Sequence, residues 1–119
     1  MQTPTVLVAE DEFIIACDLC DTVEEAGYFV EGPHSDISSA MLAFQKHRPD
    51  VAILDIHLGD EIVYPLAERL MAEDVPVIFH SGKCTPAEVH ELYPSASTLA
   101  KPCPPNLILE SVSNALAAS

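Results

Sequence analysis

Val6-Leu7-Val8-Ala9-Glu10-Asp11-Glu12 runs four apolar residues into three acids, and Val51-Ala52-Ile53-Leu54-Asp55 repeats the arrangement with one. Apolar runs without polar alternation are the pattern of strands buried on both faces, as in a parallel sheet covered by helices. The first run extends back to Thr5, and further runs with β-branched character lie near Tyr28 to Val30, at Val77 to Phe79 and at Thr98 to Ala100. Between them lie helical patterns. Ile14, Ile15, Leu19, Val23 and Ala26 follow helical spacing over Glu12 to Ala26, and Gly27 terminates the segment. A second helix begins at Asp36 or Ser38, passes through Ala40, Met41, Ala43 and Phe44, and ends before Pro49. A third covers Ile62 to Ala72, with Pro65 in its first turn and Leu66, Leu70 and Met71 facing inward. Thr85-Pro86 starts a fourth helix of about two turns that Pro94 ends. The last opens after Pro104-Pro105 and carries Leu107, Ile108, Val112 and Leu116. Strand and helix in alternation predict an α/β fold: a doubly wound, five-stranded parallel sheet with flanking helices.

The 119 residues suffice for one such domain over 1–119 and leave no room within them for a separate output domain. Nineteen acidic against five basic side chains give a formal charge of -14. That surface repels phosphate backbones and anionic headgroups, so no nucleic-acid or membrane partner is expected, and basic partners or cations suit it better. No apolar run approaches the roughly 20 residues of a membrane span, and Met1-Gln2-Thr3-Pro4 lacks the features of a secretory signal, so a cytoplasmic location is expected. Cys17, Cys20, Cys84 and Cys103 are then expected as thiols. Cys17-x-x-Cys20 lies inside a helical pattern with no second pair at zinc-ribbon spacing, so neither a redox nor a metal role is assigned to it. The five histidines lack paired spacing on one helix and are not expected to bind metal.

Polar residues follow the strands: Glu10-Asp11-Glu12 the first, Asp55 the third, His80-Ser81 the fourth and Lys101 the fifth. In an open parallel sheet the ligand crevice lies at the carboxyl ends of the strands, where the strand order reverses. If strands one and three are neighbours there, Asp11 and Asp55 face each other. Two such carboxylates repel unless one is protonated or a cation lies between them. An oxygen-only donor set favours Mg²⁺ over Zn²⁺. With Mg²⁺, the Lys101 ammonium and the Ser81 hydroxyl would neutralise the charge of a phosphoryl group in transfer. Taken singly, the acidic triple reads equally well as a solvated helix start, and Ser81-Gly82 or Lys101-Pro102 as ordinary turns. Their joint placement carries the reading.

Val6 to Glu12, Val51 to Gly59, Ser81-Gly82 and Lys101-Pro102, in that order over essentially the whole chain, resemble the receiver domain of two-component response regulators. The resemblance implies the flavodoxin-like strand order 2-1-3-4-5. It makes Asp55 the phosphoacceptor, modified by a sensor histidine kinase or a histidine phosphotransfer protein. It makes Asp11 a Mg²⁺ ligand together with Asp55 and the backbone carbonyl of His57, with Glu10 holding a metal-bound water or tuning the pocket. Ser81 would hydrogen-bond a phosphoryl oxygen, and Lys101 would pair with it. The role implied is a single-domain interaction switch or phosphate sink with a downstream protein partner, not a turnover enzyme; a receiver excised from a longer regulator or hybrid kinase is the alternative. A homodimer or partner face is expected to include Leu107, Ile108 or their neighbours.

Two departures stand out. Thr98 occupies the position, three before the lysine, where many receivers carry a switching aromatic, and Cys103 follows Pro102 where an aromatic is common. Pro76-Val77-Ile78-Phe79-His80-Ser81-Gly82 partly resembles an alphaproteobacterial subgroup reading Pro-Phe-x-Phe-Ala-Thr-Gly. Two rivals are disfavoured. A Mg²⁺-dependent aspartyl-phosphate phosphohydrolase usually carries a second Asp two residues after the nucleophile, and here that residue is His57. A flavin binder needs a phosphate loop after strand one, where Glu10-Asp11-Glu12 would repel the phosphate.

Overall fold

The computed structural model describes residues 3–82 and 86–118. Five strands form one parallel sheet: β1 (Thr5–Ala9), β2 (Phe29–His34), β3 (Val51–Leu54), β6 (Val77–Ser81) and β7 (Ser97–Ala100), in the spatial order β2-β1-β3-β6-β7. Setting aside a small hairpin, β4 (His57–Leu58) paired antiparallel with β5 (Glu61–Ile62), this is the expected 2-1-3-4-5 order.

Strand alternation divides the core in two. Leu7, Ala9, Ala52, Leu54, Val77 and Phe79 point to the face covered by α2 (Ile37–Lys46), α3 (Tyr64–Ala72) and α4 (Pro86–Leu92). Val6, Val8, Val51, Ile53 and Ile78 point to α1 (Phe13–Glu25) and α5 (Pro105–Ala118). Every residue of β3 is buried, which is why that run shows no polar alternation. The Asp36 carboxylate accepts the Ser39 amide at 2.7 Å and so caps α2.

The structure corrects several expectations. Ile14 is 75% exposed and Ala26 is exposed past the helix end; α1 buries Ala16, Leu19, Cys20 and Val23 instead. In the first turn of α1 only Phe13 and Ile14 face solvent, while Ile15 is half-buried and Ala16 packs inward. Ile62 belongs to the hairpin, half exposed, and α3 starts at Tyr64 with Ala67 in its buried stripe and Met71 only half-buried. β2 runs on to His34, and β6 includes His80 and Ser81 rather than stopping at Phe79. Ile108 is buried against the α1 side of the core, so it cannot form part of a surface contact, whereas Leu107 is exposed. Thr85 and Cys84 lie outside the described residues.

Cys20 packs in the core, and burial pushes its thiol up to about 11, well out of the reactive range, in keeping with a structural C-x-x-C. Gly32 is the backbone position least tolerant of a side chain. Its φ is +132°, and a Cβ there would meet the Val8 carbonyl oxygen at 2.5 Å. Gly32→Ala is therefore expected to cost about 3 kcal/mol through strain and displacement of β2 from β1. Urea unfolding of the two proteins checks this; equal midpoints would refute it.

Candidate phosphoryl-acceptor site

The carboxyl ends of β1, β3, β6 and β7 bring the polar residues together. β1 hands the chain to Glu10 and Asp11, and β3, beside it, to Asp55, whose amide donates to the Ala9 carbonyl at 2.8 Å. One carboxylate oxygen each from Glu10, Asp11 and Asp55 falls within 4.8 Å of the others. Glu10 and Asp55 are buried, while Asp11 is exposed at the mouth. The predicted meeting of Asp11 and Asp55 is thus present, and Glu10 joins it.

Lys101 supplies the counter-charge. Its Nζ lies 2.6 Å from Glu10 Oε1 and 3.1 Å from Asp55 Oδ2. Burial works against the charged ammonium, but hydrogen bonds to Glu10 and Asp55, with their charges, outweigh it and raise its pKa. Lys101 reaches the cluster because β7 pairs with β6 up to Ser81–Ala100 and its own amide donates to the Ser81 carbonyl at 3.0 Å. Ser81 is buried at the end of β6, on the strand face of Phe79.

Backbone donors hold the acids in place. The Glu12 amide donates to Glu10 Oε2 at 3.2 Å, and the His57 amide to Asp55 Oδ1 at 3.4 Å. The Gly59 amide donates to Asp11 Oδ2 at 2.8 Å. Gly59 sits at φ +61° in the tight turn of the hairpin. The sequence reading gave Gly59 no role; the signal was a glycine between Leu58 and Asp60, where a turn with left-handed backbone aims an N–H at the acids.

Burial pushes Glu10 up to about 7, although the hydrogen bonds from Lys101 and the Glu12 amide pull the other way. A folded pKa above the ordinary 4.5 means that Glu10 contributes its full stability below about pH 4.5 and loses it as pH rises through about 7. In metal-free buffer the wild type should therefore lose stability relative to Glu10→Gln between pH 5 and pH 7.5. Chelator-treated urea melts of both proteins test this, and a constant difference would refute it.

The set fits a hard divalent cation: three oxygen donors converge, two of them on buried carboxylates, and among the described residues no imidazole or thiolate takes part. His80 is buried on the opposite strand face, with neither ring nitrogen hydrogen-bonded. Burial, seconded by the Lys101 charge, lowers its pKa and keeps it neutral. Thr98 pairs with Phe79, and Phe79 contacts Tyr64 and Tyr93 at 6.0 and 5.7 Å between ring centroids. That face of the core thus holds aromatics from α3 and from Tyr93, just past α4, where the sequence showed none on β7.

Residues 6–113 match the response regulator receiver domain family. The transcriptional regulatory protein PdtaR of Mycobacterium tuberculosis is 38% identical over 53 residues, which is 44% of this chain and 26% of that protein. The chain thus spans about a quarter of the length of that relative. The signal receiver domain of a modulated diguanylate cyclase from Desulfovibrio desulfuricans G20 superposes with a TM-score of 0.85 at 28% identity, over 98% of this chain and 96% of that one. The receiver domain of PhyR from Erythrobacter litoralis gives 0.85 at 28% identity, over 98% and 92%.

Proposed function

The chain belongs to the response regulator receiver domain family, and from that premise we propose that Asp55 accepts a phosphoryl group from a phosphohistidine of a sensor kinase or phosphotransfer protein. An Asp55 carboxylate oxygen attacks phosphorus in line. The P–O bond forms as the P–N bond breaks, and the donor histidine leaves as a neutral imidazole that has taken up a proton. The observation that carries this reading is the convergence of Glu10, Asp11, Asp55 and Lys101 at the ends of adjacent strands.

Receiver domains bind Mg²⁺ at an acidic pocket, and the acidic group here is Glu10, Asp11 and Asp55. Asp11, Asp55 and the His57 backbone carbonyl would hold the ion, with Glu10 contacting it directly or through water. When bound, Mg²⁺ would supply charge neutralisation for the phosphoryl oxygens. Lys101 does the rest of the electrostatic work: released from Glu10, its ammonium pairs with a phosphoryl oxygen, and Ser81 donates to another. His57 stands where a phosphohydrolase would carry its general acid, so the family's usual lack of external turnover applies to this chain as well.

Residues 1–119 act on this reading as one receiver unit, in the cytoplasm, switching a downstream protein partner or draining phosphoryl groups. No described helix is long and apolar enough to cross a membrane. Phe13 and Ile14, 79% and 75% exposed beside Asp11, offer the donor an apolar contact next to the acceptor, and the surplus of acids favours a basic partner. A self-contact, if formed, would use Leu107 and not Ile108.

The test is incubation with acetyl phosphate and Mg²⁺, read by intact mass. One added phosphoryl group that disappears when EDTA replaces Mg²⁺ is expected. No mass gain, or a gain indifferent to the chelator, would contradict the reading.

A further inference from the structure

A cavity of about 790 Å³ opens at the amino ends of β6 and β7, the end of the sheet opposite to Asp55. Its size lies within the range of small-molecule sites. Met71, Pro76 and Ala115, each half-buried, give it an apolar floor that a ligand can reach. Glu10, Asp11, Asp55, Ser81 and Lys101 take no part in it.

Two charges of opposite sign line this cavity, Arg48 and Asp74. In a chain of net charge -14, Arg48 has no acidic side-chain partner among the described residues. Its Nε donates at 3.0 Å to the Glu73 carbonyl oxygen at the end of α3, and its Nη2 donates to the same oxygen. Two bonds to one acceptor fix the planar guanidinium, and its remaining N–H donors stay exposed. An ordered fork of this kind is prepared for a carboxylate, because the side chain need not be immobilised on binding. Asp74, at φ +61°, is also exposed, and among the described residues its carboxylate has no partner.

The distance between the two charges is bounded by the chain itself. The carbonyl that holds Arg48 belongs to the peptide leading into Asp74, so bond lengths keep the Asp74 carboxylate within about 9 Å of the guanidinium. No ion pair joins them, so they are neighbours that do not touch. A simple anion would be repelled by Asp74 and a simple cation by Arg48. An α-amino acid carries a carboxylate and an ammonium on one carbon, and with a hydrogen bond of about 2.8 Å at each end it bridges such a gap.

We propose that this cavity binds a free α-amino acid with an uncharged side chain. The carboxylate pairs with Arg48, the ammonium with Asp74, and the side chain rests on Met71, Pro76 and Ala115.

The probe is L-leucine, titrated into the ¹⁵N-labelled full chain at pH 7 and followed by amide shifts. Saturable shifts confined to Arg48, the end of α3, the start of β7 and the last turns of α5 are expected, with a Kd on the order of 1 mM. 4-Methylpentanoate, which lacks the ammonium, and isoamylamine, which lacks the carboxylate, should each bind at least about fivefold more weakly. Asp74→Asn should erase the preference for leucine over 4-methylpentanoate, and Arg48→Gln the preference over isoamylamine. Asparagine tolerates the left-handed backbone at position 74, so the proposal stays testable if the Arg48 variant fails to fold. Equal binding of the three compounds, variants that keep both preferences, shifts centred on Glu10, Asp11 and Asp55, or no saturation would each overturn it. Acetyl phosphate labelling of the same samples reports on Asp55 separately, so the two readings fail independently.

Discussion

Asp55→Asn is expected to abolish phosphoryl incorporation from acetyl phosphate, a fall on the order of a hundredfold or more. The amide is nearly isosteric but lacks a nucleophilic anionic oxygen. The two neighbouring acids are poorly placed to substitute. Glu10 is held between Lys101 and the Glu12 amide, and Asp11 is held by the Gly59 amide. The Asn side chain keeps an oxygen for the His57 amide, so the fold should persist with an unchanged circular dichroism spectrum. Intact mass is the readout, and full labelling of the variant would remove Asp55 as the acceptor.

Lys101→Ala carries the second large effect, and it has two parts. The first is stability. Removing the ammonium leaves Glu10 and Asp55 buried without their counter-charge, and breaking a buried pair on one side costs about 3 kcal/mol. Glu10 already sits near pH 7, so protonation can relieve part of that cost in acid. The loss should therefore be larger at pH 8 than at pH 5.5, as measured by urea unfolding in chelator. The second part is chemical. Without Lys101 the transferred phosphoryl group lacks its fixed cation, and labelling by acetyl phosphate should slow on the order of a hundredfold. Binding of Mg²⁺ should persist, because the three acids remain and lose a competing cation. Labelling at the wild-type rate would remove Lys101 from the mechanism, and a larger stability loss in acid would contradict the ion-pair account.

The sequence was most legible where burial is complete. Val6 to Ala9 and Val51 to Leu54 are apolar because both faces of the sheet are covered, and their ends located Glu10, Asp11 and Asp55 without any knowledge of strand order. The order itself came from resemblance, since local pattern says nothing about which strands are neighbours. Helical periodicity misread Ile14 because adjacent apolar residues, Ile14 and Ile15, both fit the spacing while only Ile15 turns partly inward. The hairpin escaped notice because two-residue strands show no periodicity. Without the hairpin, neither the Gly59 amide on Asp11 nor the displacement of Ile62 from α3 could be anticipated. The contact between Lys101 and Glu10 joins residues 91 positions apart and is a product of β7 lying beside β6. His80 and Ser81 were placed at a strand end, but only the full extent of β6 shows that they face opposite layers. The subgroup likeness at Pro76 to Gly82 is matched at Pro76, Phe79 and Gly82 and stays a resemblance.

An acyl phosphate on aspartate is reduced by borohydride to homoserine, which marks the modified position permanently. Treating the acetyl phosphate reaction in this way and mapping the peptides by mass should give homoserine at position 55 and at no other, in the presence of Mg²⁺ alone. Homoserine at another aspartate, or none in a sample that has gained phosphoryl mass, would contradict the claim that this acidic nest exists to make Asp55 a phosphoryl acceptor.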